Sequence, residues 1–192
     1  MSDRRTELLN AAIEQIAKKG TRGMRVEEVA KAAGVSTGLV YHHFKDRSTF
    51  LQSALEHIDT QAAGYTTTTE GTAREVLLSE LVNEIQENEV VRTNSAAWGE
   101  LRDTAIFDFT LRPTIARLTQ RWIDDIAKLV SRGHEDGSLS PRLDPQAIGI
   151  QLSAVVEGIS GRWLTGQLTT AEAREQLASL VTLILEGAAA RA

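Results

Sequence analysis

The chain has 192 residues, 42% of them hydrophobic and 24% charged, with a net charge of −5 and no cysteine. This is the composition of a soluble globular protein with material for a real core, and the missing cysteine excludes disulfides and thiolate metal sites and fits a reducing cytoplasm, the expected location. No apolar run approaches the roughly 18 residues needed to cross a bilayer, so no membrane partner is expected, and MSDRRTELLN turns amphipathic at once without a signal-peptide core.

The charge is unevenly spread. Residues 1–56 carry nine Lys and Arg against seven Asp and Glu, and residues 57–192 carry twelve against nineteen. A head of +2 and a body of −7 says where a polyanion could dock. Taken alone, +2 is only a mildly basic surface.

Helical periodicity is the dominant pattern, and no strand pattern or internal repeat is visible. Helix 1 is expected over Asp3 to Lys19, with Leu9, Ile13 and Ile16 on one stripe and Gly20 as a stop. Arg4 and Arg5 lie off that stripe, open to a phosphate or to solvent. Helix 2 is expected over Val26 to Ala33, with Val29, Ala30 and Ala33 inward and Gly34 as a left-handed terminator. Small Ala30 and Gly34 suit the close, steep crossing of a helix-turn-helix. Ser36 suits the N-cap of helix 3, Thr37 to Phe44, with Leu39 or Val40 and Phe44 pointing inward. Helix 4 begins near Asp46 to Ser48 and runs to Ala63, ahead of a polar loop GYTTTTEG.

Helix 5 opens on the capping-box pair Thr72 and Glu75 and runs to Glu89. Helix 6 covers Thr93 to Asp103, and helix 7 covers Phe109 to Arg132 with a stripe from Leu111 to Val130. Gly133 and Gly137 bracket a turn. Asp144 and Pro145 start helix 8, which reaches Gly166 and carries a second face of Ser153, Ala154, Gly158 and Gly161. Helix 9 starts at Thr169 with Glu172 as its capping partner. The expected fold is all-α, about nine helices. It divides into a three-helix helix-turn-helix domain at 1–46 and an effector-binding and dimerisation domain at 47–192, linked by helix 4.

A helix-turn-helix sets its second helix in the major groove while the first crosses the backbone. The outward face of helix 3 carries Thr37, Gly38, Tyr41 and His42. Threonine and histidine can bond base edges or phosphates, glycine admits close backbone approach, and a tyrosine can pack on the sugar-phosphate chain. Lys45 and Arg47 follow, at the start of helix 4, where cations can meet phosphates. Neighbouring His42 and His43 point about 100° apart on a helix, so they cannot hold one ion from one face, and no metal is expected.

These residues carry a resemblance. AAIEQIAKKGTRGMRVEEVAKAAGVSTGLVYHHFKDRSTFLQSAL, roughly residues 5–55, closely resembles the N-terminal domain of TetR-family transcriptional regulators. The resemblance implies that Thr37, Gly38, Tyr41 and His42 face DNA and that Arg47, at a position more often lysine, holds a phosphate. Ser36 and Lys45 complete the expected DNA-contacting set. Arg25 stands where the family usually has a capping Ser or Thr. It cannot cap by accepting a hydrogen bond, and its guanidinium is a candidate for the phosphate instead. SAAWGELRD, GSLSPRLDP and VVEGISGRWLTG resemble the BetI-like branch of the family, which implies an all-α body. That body would dimerise through helices 8 and 9, at Ser153, Ala154, Gly158, Gly161, Leu177, Leu180, Val181 and Ile184.

A sensor needs a cavity with apolar walls and a few polar handles. Trp98, Arg102, Phe107, Phe109 and Trp122 on helices 6 and 7 and their link are candidates, as is Glu157; aromatics at helical spacing equally build core, and Glu157 could be exposed or bridge a dimer. No catalytic residue and no cofactor is expected. His134, Glu135 and Asp136 lack a paired nucleophile or a metal-ligand spacing. The expected function is a homodimeric regulator, most simply a repressor, that binds a palindromic double-stranded DNA operator and is released by a small-molecule effector. The alternatives are an activator, or a helix-turn-helix module for protein interaction.

Overall fold

The computed structural model describes residues 4–191, with side chains described as far as Gly187. Among the described residues all regular structure is helical: α1 (Arg4–Gly23), α2 (Val26–Ala32), α3 (Thr37–His43), α4 (Arg47–Thr66), α5 (Ala73–Val82), α6 (Glu89–Thr104), α7 (Arg112–Asp136), α8 (Pro145–Leu164) and α9 (Thr170–Arg191). The all-α expectation is met. The expected start of helix 1 at Asp3 lies outside the described residues.

The chain forms two compact units. The first takes the residues up to Ala62 together with Arg92–Ala116, and the second takes Ala63–Val91 together with the chain from Arg117 onward. This differs from a division at residues 46 and 47. The boundaries fall inside α4, α6 and α7, because the head buries most of α4 and the second part of α6 in its own core.

In the first unit, Leu8, Leu9, Ala12, Ile13 and Ile16 of α1 are buried with Val29 and Ala30 of α2 and Val40 of α3. Of the two candidates on α3, Val40 is fully buried and Leu39 half-buried. Phe44 and Phe50 close the base, ring centroids 4.5 Å apart. Gly20 and Gly34 adopt φ of +71° and +67°, the left-handed region that suits glycine. Gly34 faces open space on its Cβ side; it serves the turn and not the close helix crossing expected of it.

In the second unit α8 and α9 pack on each other, and α5 packs on α9. Leu77, Leu81, Val130, Leu152, Trp163, Leu177 and Val181 form its core. Gly149 provides the close approach between α7 and α8: a Cβ there would lie 2.7 Å from the carbonyl oxygen of Ile123. Trp163 is fully buried, and its one donor, Nε1–H, is satisfied by Thr170 Oγ1 at 2.9 Å.

Several boundaries moved for visible reasons. α4 runs to Thr66, past Gly64, and Thr67 then donates through N–H and Oγ1 to the Ala63 carbonyl. α5 stops at Val82 although the apolar period continues to Ile85; the Ile85 N–H turns back to the Val82 carbonyl, and Arg174 of α9 donates to the carbonyls of Val82 and Ile85 at 2.9 and 2.6 Å. α7 begins at Arg112, since Asp108 accepts from Thr110 N–H and Oγ1 and holds Phe109 in a turn. It continues through Gly133, which sits under the side chain of Leu139, and ends before Gly137 at φ +76°. Both expected capping boxes are present: Thr72 with Glu75, and Thr169 with Glu172. Asp144 accepts from the N–H groups of Gln146 and Ala147, as its position before Pro145 required.

Candidate nucleic-acid interface

α3 owes its position to its two ends. At the start, Ser36 accepts from the Leu39 N–H at 3.3 Å, and at the finish the Phe44 N–H returns to the Val40 carbonyl. Val40 and Phe44 anchor the inner side. The opposite side then carries Gly38, Tyr41 and His42 into solvent, with Thr37 half-buried and Tyr41 50% exposed. Half-buried His43 lies between the His42 and Phe44 rings at centroid distances of 5.7 and 6.2 Å.

Cations flank this face. Arg25, Lys45 and Arg47 are all exposed. Arg25 is the N-cap of α2 and makes no side-chain cap bond there, so its guanidinium has no capping role. Asp46 caps α4 by accepting from the Thr49 N–H at 2.8 Å, and that bond holds its carboxyl below the usual range. The Arg47 guanidinium donates to the Thr21 carbonyl at the end of α1. Thr21 is buried and is held in turn by Glu100 of α6, which accepts from its N–H at 2.8 Å and its Oγ1 at 2.9 Å. Neither Thr21 nor Glu100 carries a signal in the sequence, since their pairing spans 79 residues.

The candidate ligand residues are divided between the units. Trp98, Arg102, Phe107 and Phe109 belong to the first, Trp122 and Glu157 to the second. Phe107 and Phe109 are 78% and 66% exposed, so they are not walls of a closed cavity. The Arg112 guanidinium lies 4.0 Å from the centre of the Phe109 ring, on a link that Arg112 also ties through the carbonyls of Ala105 and Ile106. Trp122 packs against the second core. Arg102 contacts Asp103 at 3.2 Å.

The expected dimer residues divide as well. Leu177, Val181 and Ser153 are buried in the core of their own unit, and Ser153 donates to the Ile150 carbonyl. They cannot form an outer surface, because a helix buries one stripe and turns the others outward. Ala154, Gly158 and Gly161 are exposed, and Leu180 and Ile184 are half-buried. Ile150 of α8 and Leu183 of α9 are exposed as well. Their signal was an apolar residue lying off a stripe that already had its apolar residues.

Residues 8–54 match the family model for bacterial regulatory proteins of the tetR family, and residues 73–186 match the C-terminal region of BetI-type transcriptional repressors. A TetR-family transcriptional regulator from Rhodococcus sp. has a solved structure that is 42% identical, with a TM-score of 0.90, covering 96% of this chain and all of that one. The HTH-type transcriptional regulator BetI of Escherichia coli (strain UMN026) is 26% identical over 189 residues, or 94% of this chain and 91% of its own. A transcriptional regulator from Saccharomonospora viridis, solved in complex with choline, shares the fold at a TM-score of 0.79 and 23% identity, over 93% of this chain and 95% of its own. The chain belongs to the TetR family of bacterial transcriptional regulators, with a C-terminal region of the BetI type, and is a regulator and not an enzyme.

Proposed function

We propose that this chain is a homodimeric repressor of the cytoplasm that binds a palindromic operator and leaves it when a small molecule occupies the second unit. The observation that carries this reading is the outward face of α3. Gly38, Tyr41 and His42 are exposed there, flanked by exposed Arg25, Lys45 and Arg47, on a helix whose inner side is fixed by Val40 and Phe44. Tyr41, Thr37 and His42 read or brace the groove, and Arg25, Lys45 and Arg47 meet phosphates. Ser36 caps α3 and lies at its phosphate-facing end.

Two heads must meet successive major grooves, about 34 Å apart. The exposed side of α8 and α9, with Ile150, Ala154, Gly158, Gly161 and Leu183, supports pairing of two copies. An effector that binds one head spacing better than the other shifts the population away from the DNA-competent state. The choline complex of the Saccharomonospora viridis relative makes a quaternary ammonium the first effector to test. Within the second unit, Trp122 offers a ring face for such a cation and Glu157 offers a carboxylate.

The test is fluorescence anisotropy on duplex DNA from the chain's own promoter region, over a salt series. Binding should weaken steeply with salt, and Tyr41→Ala with Arg47→Ala should abolish it. Salt-insensitive or absent binding by the unmodified chain overturns the regulator mechanism. Choline is then titrated into the bound complex. Release supports the effector; continued binding rejects this effector chemistry and leaves the DNA reading standing.

A further inference from the structure

We infer that Glu100 and Thr21 are positioning residues for Arg47, setting where its guanidinium stands for a phosphate. The inference rests on the DNA-binding reading above and names the residues that tune it. All its contacts lie within the first unit.

The arrangement starts from a break in α1. Gly20, at φ +71° and ψ 169°, leaves the helical region, and the turn beyond it carries Thr21 into the interior. There Thr21 is gripped from two sides. Its N–H and its hydroxyl both donate to Glu100 Oε1, at 2.8 and 2.9 Å. The Thr104 hydroxyl lies 2.8 Å from Thr21 Oγ1 and 3.5 Å from the same Glu100 oxygen, closing the cluster. The Thr21 carbonyl faces the other way and accepts from Arg47 Nη2, at the first residue of α4.

A guanidinium has five N–H donors in a rigid fork. One bond to a fixed carbonyl orients the plane and leaves the remaining donors for an anion. Arg47 as a residue is exposed, which leaves its side chain within reach of an anion from solvent. A free arginine would have to lose its rotamer freedom on meeting the phosphate, whereas here part of that freedom is already lost. The carbonyl is fixed only because Thr21 is, and Thr21 is fixed by Glu100. The space for this contact is closely fitted: a Cβ on Gly20 would come within 3.0 Å of Glu100 Oε1. Glu100 stands on α6, a helix whose first residues, Glu89–Val91, belong to the second unit.

The experiment is a double-mutant cycle on promoter DNA, using the full chain. Arg47→Ala should weaken binding about tenfold and reduce the salt slope by about one phosphate contact. Glu100→Ala should weaken binding several-fold in the unmodified background and not at all on top of Arg47→Ala. Glu100→Gln keeps an acceptor oxygen and should restore most of the affinity. A merely structural role would lower the melting temperature and leave the salt slope and the Arg47 dependence unchanged. If Glu100→Ala does not fold, Thr21→Val against Thr21→Ser carries the same cycle, with Ser retaining the hydroxyl. Additive losses for Glu100 and Arg47 overturn the inference. If the unmodified chain binds no DNA in this assay, the DNA-binding reading itself fails, which is a different result.

Discussion

At the scale of single residues, chemistry is decided by what each side chain meets once folded. Glu84 is the clearest instance. As a residue it is partly exposed, yet its carboxyl is turned inward next to the carboxylate of Glu80, and burial with that like charge pushes it up to about 7. The unfolded chain releases this proton near 4.5. Between those values the folded state holds a proton that the unfolded state has lost. Stability is therefore unaffected by this group below pH 4.5 and falls as the pH rises to 7, where ionising the buried carboxyl carries a penalty on the order of 3 kcal/mol. Urea melts across pH 5–8 should show stability falling with pH, and Glu84→Gln should flatten that part of the profile and be the more stable chain at pH 8. An unchanged profile in the variant would assign the slope to other groups.

Elements are set by their ends and by the closeness of their neighbours. The start of α8 was written in Asp144 and Pro145, and the two N–H groups that Asp144 accepts are those a cap should satisfy. Asp144→Ala should cost about 1 kcal/mol in thermal or chemical unfolding, with the fold retained. The middle of α8 was not so legible. Within the chain Gly158 and Gly161 face open space, and the close helix contact is made at Gly149, against the backbone of α7. A backbone carbonyl cannot swing aside as a side chain can. Gly149→Ala should therefore cost about 1–3 kcal/mol, measured by chemical unfolding. The same reasoning explains α5. The apolar period runs on to Ile85, which is indeed buried, but the chain there has left the helix and its carbonyls at Val82 and Ile85 accept from Arg174 of α9.

For the whole molecule, the leading question is what covers the outer side of α8 and α9. Ile150 and Leu183 are 56% and 64% exposed, and half-buried Leu180 and Ile184 lie on the same element as Leu183. If two copies pair there, Ile150→Asp together with Leu183→Asp should leave the single chain folded, because neither side chain belongs to its core. Sedimentation at micromolar concentration should then report a monomer, with operator binding weakened more than tenfold because two linked heads become independent. An unmodified chain that sediments as a monomer would reject the pairing outright.

Much was determined by the sequence alone. The helical period, the glycines at 20 and 34, the caps at Ser36, Thr72, Asp144 and Thr169, and the outward residues of α3 are local properties. They depend on neighbours three or four positions away, and a linear chain displays those directly. Tertiary structure decided what depends on distant partners. It carried Thr21 to Glu100, turned Leu177 and Val181 into core while Ile150 and Leu183 stayed outside, and left Phe107 and Phe109 exposed on a link. Periodicity tells which stripe of a helix is apolar. Only the packed neighbours determine whether that stripe meets its own chain, a second copy or solvent.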